Sequence, residues 1–463
     1  MKDFKNYTSV FSWRYGSGEM RKIWSEENKY KIWRKVWVEL ARAQSEEGLV
    51  SKEELEDLEN HQDNLNIERI WEIEKDVRHD VVAAIKEFAE KAKIGGGKIH
   101  LGATSMDISD NGETIRISEA LSIIENGLIK LLKSFGKKIE QYAGFVCMGY
   151  THLQPAEPTT LGYRFAFYAQ DLLMDLELLQ FVKKNLKGKG MKGAVGTSAS
   201  YIKLLDEKKA EEMEVNVLEQ LGIEAYEITN QTSPRKIEVW LGNLLASIAQ
   251  SLNKFAFDLR IMQSANFGEW QEPFGDKQVG SSAMPFKKNP VKSEQICSLA
   301  RLVVSLSRTS WDNASHMLLE RTLDDSANRR VAIPEMFLSI DEMLISANNI
   351  IDGLTINDKR ITKNLLTYWP FSVTEVIIVE AVKKGANRQK MHEVLREISM
   401  KAWEVIQNGE VNQMEDLLES NPEIGKYLKS ADILDLLDVK NHTGTAKNKS
   451  LTIAQKIASL KYS

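Results

Sequence analysis

The chain has 463 residues, a formal net charge of −5 at pH 7 and 43% hydrophobic residues. Nucleic acids and anionic membranes bind strongly basic surfaces, so this near-neutral balance argues against either as the main partner. The length and the apolar content suggest roughly two to four domains, or one long domain, built around a large core.

The cysteine content indicates a reducing compartment. Only Cys147 and Cys297 occur, which is too few for a disulfide framework or a cysteine-based metal cluster. No uncharged apolar run reaches the roughly 18–20 residues that a membrane span requires. We therefore expect a cytoplasmic protein without a transmembrane segment.

Residues 1–111 open the chain with helical stretches and glycine-containing loops, and form the predicted N-terminal helical domain. None of the nine prolines precedes Pro155, and none lies between Pro158 and Pro234. Such long proline-free stretches are typical of helices, which proline would break.

Residues 112–362 carry the longest helical patterns and form the predicted central domain. Through 235–263, apolar residues recur at three- and four-residue steps and form one stripe about 40 Å long at 1.5 Å per residue. Similar stripes run through 113–141, 160–186 and 294–318.

Residues 363–463 contain shorter helices and form the predicted C-terminal helical domain. Because no stretch shows sustained strand alternation, we predict an all-α fold. Long helices cannot bury their apolar stripes alone and should pack side by side as a bundle. Apolar surface left over on such a bundle is suited to packing against helices of sister subunits.

Two kinds of sequence motif bear on cofactor chemistry. The segment "GKGMKG" at 188–193 fits Gly-x-Gly-x-x-Gly, but it follows a helix rather than a strand, so we interpret it as a loop of small residues. The sequence contains no His-Glu-x-x-His and no Gly-x-x-x-x-Gly-Lys-Ser/Thr motif, so neither a metal nor a nucleoside triphosphate is indicated.

Three of the seven histidines lie where a polar loop meets a predicted helix: His79, His100 and His152. His152 stands just before Pro155 and the helix expected after it. A single histidine in such a place is more often structural than functional. Three in similar settings favour a shared site.

The segment "VGSSAMPFKKNPVKSEQ" at 279–295 is typical of a hinged loop. Gly280 and two adjacent serines provide mobility, Pro285 and Pro290 stiffen the far side, and a long helix follows.

Lys287, Lys288 and Asn289 stand just before this helix. The N–H groups and the positive end of a helix favour an anion there, although an isolated group of this kind is more often a solvated basic turn.

Basic and hydroxyl residues elsewhere could neutralise a ligand with several negative charges, because the arginine fork binds carboxylate or phosphate with two hydrogen bonds. For any single arginine, pairing with a nearby acid is an equally good interpretation. These residues are Arg14, Tyr15, Arg235, Arg321, Ser326, Arg329 and Arg330.

The loop "GSSAMPFKKNP" at 280–290 resembles the signature loop of the fumarase/aspartase superfamily, in which Gly-Ser-Ser-x-Met-Pro-x-Lys-x-Asn-Pro recurs. Further segments resemble the adenylosuccinate lyase family within it. They are "RYGSGEM" at 14–20, "RHDVVA" at 78–83, "HLGATSMDISDNGETIR" at 100–116, "GYTHLQPAEPTTLG" at 149–162 and "GAVGT" at 193–197.

The resemblance implies a helical homotetramer with a central bundle contributed by four subunits and with active sites shared between subunits. It implies elimination of fumarate from adenylosuccinate, giving AMP, and from the succinyl-carboxamide imidazole ribotide of purine biosynthesis. No cofactor or metal is implied.

The resemblance also implies catalytic roles. Ser281 would be the base, His152 the acid, and Glu294 would orient His152. Lys287 and Asn289 would hold the charge that develops on a substrate carboxylate. Whether Ser281 or its neighbour takes the proton stays open.

Substrate contacts are implied around these residues, with His79 also assisting the acid. Phe286 departs from relatives that carry a polar residue or histidine, which removes one candidate titrating group from the loop. The implied binding residues are Arg14, Tyr15, Arg78, His79, Asp80, His100, Thr104, Ser105, Gln231, Ser282, Lys287, Lys288, Asn289, Arg321, Ser326, Ala327, Asn328, Arg329 and Arg330.

Alternatives within the superfamily are an argininosuccinate lyase and a carboxymuconate cycloisomerase. Both share the signature loop but are not expected to combine "RYGSGEM" with "RHDVVA". A non-catalytic, crystallin-like descendant is a third alternative, which the intact loop and His152 disfavour.

Overall fold

Helices account for nearly all regular structure in the computed structural model, which describes residues 5–462. The all-α prediction is confirmed. The helices are α1 Gly18–Ile23, α2 Glu26–Glu46, α3 Lys52–His61, α4 Ile67–Val77, α5 Asp80–Lys91, α6 Ser105–Tyr142, α7 Leu161–Asn185, α8 Ala199–Leu204, α9 Glu207–Leu221, α10 Lys236–Met262, α11 Val291–Ser315, α12 Ser326–Gly353, α13 Asp358–Ser372, α14 Thr374–Lys383, α15 Arg388–Gln407, α16 Met414–Glu419, α17 Pro422–Gly425, α18 Ser430–Leu436 and α19 Ala446–Ala458.

Five long helices, α6, α7, α10, α11 and α12, build the central bundle around one hydrophobic core. The predicted stripes coincide with four of them, and on α10 the apolar positions of the 235–263 pattern, such as Leu244, Ile248 and Leu252, are buried. The longest helix, α6, has 38 residues and therefore extends about 57 Å. Chemistry at the two ends of this bundle is widely separated.

A β-hairpin precedes α7, where the sequence pattern predicted only a helix after His152. Strands β1 (Val146–Thr151) and β2 (Gln154–Thr160) pair antiparallel, and a second short pair joins β3 (Trp270–Gln271) to β4 (Thr355–Ile356). Two prolines in β2 hid the strand from the sequence analysis, because proline is tolerated only where no ladder N–H is needed.

The hairpin turn holds His152 in a demanding conformation. His152 and Leu153 form a two-residue turn, and both have positive φ, at 53° and 60°. Such turns match the twist of a hairpin but normally use Asn-Gly, because a Cβ is disfavoured at positive φ. The surrounding structure must therefore hold this turn in place.

Two further cores flank the bundle. The first unites α2–α5 with Met191, Tyr201 and α9, so it also takes in residues beyond 111. The second is built from α13–α18, whereas α19 returns to the bundle through Ala454 and Ile457. The predicted boundaries at 111/112 and 362/363 stay predictions, and residues 1–4 and 463 lie outside the described part of the chain.

Within residues 5–462, the stretch Asp358–Lys383 is long and apolar enough to cross a bilayer, with a mean hydropathy of 1.4. It comprises α13 and α14, and Trp369, Val373 and Ile377 pack into the C-terminal core. A core helix of a globular domain meets the same criteria, so the stretch alone does not indicate a membrane span.

Candidate active site

The signature loop, residues 280–290, is folded back on itself. The side-chain amide of Asn289 donates to the carbonyl oxygen of Gly280 at 2.9 Å. A Cβ on Gly280 would lie 2.0 Å from the carbonyl oxygen of Lys287, so only glycine fits this approach. The Oγ of Ser281 accepts a hydrogen bond from the N–H of Met284 at 3.1 Å, and a donor in this position favours negative charge on the oxygen.

The foot of this loop is closed by a buried carboxylate. Glu272 accepts hydrogen bonds from the backbone N–H groups of Lys292 at 3.1 Å and Ser293 at 2.5 Å. This corrects the expectation that the first turn of α11 offers its N–H groups to an anionic ligand, because the protein's own carboxylate already occupies them. A substrate carboxylate at the loop would rely on side chains instead.

Gln263, directly after α10, joins the two arms of the loop. Its side-chain oxygen accepts from the N–H of Glu272 at 2.9 Å, and its side-chain nitrogen donates to the carbonyl oxygen of Lys288 at 2.9 Å. The arms are therefore fixed at their base, whereas the tip of the loop carries exposed side chains. The exposed side chains include Ser282, Phe286, Lys287 and Lys288, and Glu294 on α11 is exposed as well.

The turn that carries Arg14 and Tyr15 lies beside the first turns of α11. The N–H of Gly16 donates to Glu342 at 3.1 Å, and the side-chain amide of Gln295 donates to the same carboxylate at 2.7 Å. Arg14 is exposed, and its guanidinium lies 5.7 Å from the ring centre of Tyr15. The structure thus brings these two predicted residues close to the foot of the signature loop.

The predicted residues Asp80 and Arg330 form an ion pair at 2.6 Å, although they are far apart in sequence. Burial raises the pKa of Asp80, but the hydrogen bond and charge of Arg330 outweigh it, and the pKa falls below its usual value. Arg78 ends α4 at a positive φ of 53°, and His79 caps α5 by accepting from the N–H of Val82 at 3.4 Å. The segment "RHD" is therefore held against α12.

A buried ion network lies at this end of the bundle. Arg235, directly before α10, pairs with Asp110 of α6 at 3.0 Å and with Asp325 at 2.8 Å. The network ties together the starts of α6, α10 and α12. The guanidinium of Arg235 is thus already paired with carboxylates of the protein itself.

Two arginines predicted to bind substrate join this network. Arg321 pairs with Asp325 at 2.8 Å, and Arg329 pairs with Glu238 at 2.6 Å. Their charges are balanced within the chain, as the alternative interpretation of helical arginines expected. Arg330, with 59% of its side chain exposed, is more available to a ligand.

The remaining predicted residues at this end of the bundle lie at the starts of helices or in loops. The ring of His100 accepts a hydrogen bond from the indole N–H of Trp37 at 3.1 Å, and burial lowers the pKa of His100 to about 4. Thr104 caps α6 and Ser105 is its first residue. Ser326, Ala327 and Asn328 form the first turn of α12, and the N–H of Gln231 donates to the carbonyl oxygen of Glu320 at 3.3 Å.

His152 lies at the opposite end of the bundle, at the tip of the hairpin. It borders a cavity of about 500 Å³ that is also lined by Tyr163, Arg164, Lys254 and Asp258. All the lining residues belong to the described chain, and none comes from 280–290. Within residues 5–462 there is also no group of three or more His, Cys, Asp or Glu side chains arranged to hold a metal.

Within one subunit, the predicted residues therefore lie at two opposite ends of the bundle. Helix α10 spans 27 residues between Arg235 and Gln263, a distance of about 40 Å. We call the end with Arg235, Asp80 and Arg330 the Arg235 end, and the end with His152 and the signature loop the His152 end. Neither end alone holds the full predicted set.

Sequence reasoning missed the acidic and amide residues that hold these elements. Glu272, Gln263, Glu342 and Glu269 contact loops through backbone and side-chain groups far away in sequence. The only local signal was the position of Glu272 just before the loop.

The similarity to known proteins covers both the Arg235 end and the His152 end. Residues 14–305 match the family model described as lyase, and residues 370–449 match that of the adenylosuccinate lyase C-terminus. The adenylosuccinate lyase of Saccharomyces cerevisiae is 39% identical over 426 residues, which cover 90% of this chain and 88% of the relative. The chain belongs to the adenylosuccinate lyase family.

Membership in the adenylosuccinate lyase family reaches beyond residue 330, where the motif resemblance ended. The adenylosuccinate lyase of Pyrococcus horikoshii is 36% identical over 446 residues, covering 94% of each chain. The solved 3-carboxy-cis,cis-muconate lactonizing enzyme of Pseudomonas putida superposes with a TM-score of 0.85 at 22% identity, over 98% of this chain and all of the other. The latter likeness concerns the fold.

Proposed function

We propose that this protein is a lyase that eliminates fumarate from adenylosuccinate, giving AMP, and from the succinyl-carboxamide imidazole ribotide of purine biosynthesis. The observation that carries the proposal is the 36–39% identity to adenylosuccinate lyases over at least 90% of the chain. The intact signature loop supports the same chemistry.

The reaction removes a proton from the carbon beside a succinyl carboxylate, so negative charge develops on that carboxylate. Lys287 and Asn289 are suited to stabilise it, because donors fixed before the reaction act most strongly where charge appears. Since Glu272 already occupies the end of α11, the positive charge at the loop comes from the ammonium groups of Lys287 and Lys288.

Ser281 takes the proton, and His152 gives a proton to the departing nitrogen. The electron pair of the broken C–H bond forms the new C=C bond as the C–N bond breaks. The N–H of Met284 already points at the Oγ of Ser281 at 3.1 Å, and closing the loop over substrate would exclude water and strengthen this interaction. Phe286, which is 82% exposed, would be covered on closure.

The complete site requires more than one subunit. The Arg235 end and the His152 end lie about 40 Å apart along α10, so antiparallel packing of subunits would bring one end of each beside the other end of its neighbour. Helix α7 offers a surface for such packing, because Phe167, Met174 and Phe181 recur at seven-residue steps and stay about half exposed. We propose a homotetramer with shared active sites.

A cytoplasmic location fits the chemistry of the thiols. Cys147 and Cys297 are free and buried, and burial raises the pKa of the Cys147 thiol to about 11. We propose that the enzyme works without a cofactor, with no nucleic-acid or membrane partner.

The decisive experiment incubates the purified protein with adenylosuccinate and follows the ultraviolet spectrum of the purine, with argininosuccinate as a parallel substrate. Conversion of adenylosuccinate alone is expected. Conversion of argininosuccinate alone, or of neither, would overturn the proposal.

Subunit sharing has its own test. His152→Ala, at the His152 end, and Arg330→Ala, at the Arg235 end, are each expected to lose most activity. Dissociated and reassembled together, they should recover activity, because some sites then receive both native residues. No recovery in mixed tetramers, verified by light scattering, would contradict a shared site.

A further inference from the structure

Glu269 is fully buried where the hairpin meets the bundle. One carboxylate oxygen accepts hydrogen bonds from the hydroxyl of Tyr150 at 3.2 Å and from the side-chain amide of Asn364 at 3.0 Å. The other oxygen faces the guanidinium of Arg164 at 3.4 Å. A carboxylate this deep needs such partners, because an unpaired buried charge is very costly.

Arg164 extends this contact to a second point of the hairpin. Its guanidinium donates to the carbonyl oxygen of Met148 at 2.6 Å. Across the ladder from Met148 stands Pro158, which has no N–H to donate. The register also shifts between Met148 and Tyr150, where Ala156 and Glu157 of β2 form a bulge opposite the single residue Gly149. Glu269 and Arg164 thus hold β1 on both sides of its irregular point.

His152 stands two residues after Tyr150, at the turn. In the described part of its own subunit, the imidazole has no hydrogen-bond or ion-pair partner. The position of the imidazole is therefore set by the backbone of the turn. This backbone conformation is intrinsically unfavourable, because both turn residues have positive φ. The anchors on β1 are the features that fix this backbone.

We propose that Glu269 is a positioning residue for His152, which it holds in place through Tyr150 and Arg164. The inference rests on the proposed function, in which His152 is the acid. Proton transfer requires hydrogen-bond reach, and a displacement of about 1 Å can cost about 100-fold in rate. Glu269 itself makes no contact with the reacting atoms in this proposal.

The test compares two variants that each remove one donor from Glu269. Tyr150→Phe removes the donor on the hairpin, and Asn364→Leu removes the donor on α13. We expect Tyr150→Phe to lower kcat about tenfold with KM within about twofold, and Asn364→Leu to leave kcat within about twofold. A role in stability alone would give similar kcat values for both.

A double-mutant cycle shows whether the effect passes through His152. In a His152→Ala background, Tyr150→Phe should cause no further loss of the residual kcat, because the group it positions is already gone. An additional tenfold loss there, or equal losses from Tyr150→Phe and Asn364→Leu, would overturn the proposal.

A measurement independent of activity separates this inference from the proposed function. Hydrogen exchange followed by mass spectrometry should show faster exchange of residues 146–160 in Tyr150→Phe but not in Asn364→Leu. Unchanged exchange in both variants would contradict the positioning role. If the wild type is inactive but the expected exchange difference is observed, the proposed reaction is wrong and the positioning of the hairpin by Glu269 stands.

Discussion

The carboxylate of Glu272 caps α11 by accepting the N–H of Ser293 at 2.5 Å, and this contact fixes the foot of the signature loop. The Glu272→Ala variant should lose this cap and leave N–H groups buried without a partner. We expect the free energy of unfolding to fall by about 1–2 kcal/mol at fixed protein concentration. Urea unfolding monitored by circular dichroism measures the change.

Glu294 offers a control for stability on the same turn. It is exposed, so Glu294→Gln should change the free energy of unfolding by less than about 0.5 kcal/mol. Equal losses from both substitutions would mean that Glu272 is not the specific cap of α11.

Lys287→Ala removes the positive charge that the proposed carbanion requires. We expect kcat to fall about 100- to 1000-fold, the usual effect of losing one donor that stabilises the transition state. Steady-state assays with adenylosuccinate measure it. Lys277→Ala, in the exposed segment just before the loop, is the matched control and should keep near-normal turnover. Equal kcat values for the two variants would remove Lys287 from the mechanism.

His152→Ala should abolish most turnover without loss of stability. The side chain is exposed and lies at a strained turn, so its removal leaves no cavity. Assays and thermal unfolding on the same preparation separate the two effects. A variant with near-normal kcat would show that another group protonates the leaving nitrogen.

Gly280→Ala tests the compact form of the loop. The new Cβ would collide with the carbonyl oxygen of Lys287, so residues 280–289 would have to open. We expect a strong loss of kcat with little change in the unfolding midpoint, because the loop is on the surface. Gly275→Ala is the control, since its Cβ would meet only the flexible side chain of Gln278 at 4.0 Å. Equal activity in the two variants would argue against this loop conformation.

The lowered pKa of His100 predicts that the stability of the protein depends on pH. Its folded pKa of about 4 lies below the ordinary 6.5, so between these values the unfolded chain binds the proton more tightly. The stabilisation is complete above pH 6.5 and is lost as the pH falls toward 4. Between pH 7 and pH 5 the loss should be about 2 kcal/mol.

Comparison of wild type with His100→Gln isolates this contribution. The variant should show a smaller loss of unfolding free energy between pH 7 and pH 5, whereas the exposed His392→Gln should follow the wild type. Parallel curves for His100→Gln and the wild type would contradict a buried, neutral His100.

Local pattern was sufficient for the helices and for the loop. The apolar period through 235–263 predicted α10 within a residue or two, because burial of one helical face leaves a repeat in the sequence itself. The segment 280–290 was recognisable because its glycine, hydroxyl, ammonium and amide groups stand within a few residues of one another.

Contacts between distant segments left no such trace. Apart from the position of Glu272 just before the loop, nothing near Glu272, Glu269 or Glu342 in sequence indicates that their carboxylates receive N–H and side-chain donors from other elements. The hairpin at His152 was missed because Pro155 and Pro158 obscure the strand pattern of β2, and because its anchors Arg164 and Glu269 lie outside its strands.

By itself the sequence determined the helical class and the family resemblance, because these depend on residue type and spacing along one segment. Only the tertiary structure decided that Glu272 fills the end of α11, that Asp80 meets Arg330, and that His152 lies about 40 Å from the Arg235 end. Such relations arise when separate helices are packed together, and burial fixes them through partners that the linear order of residues does not reveal.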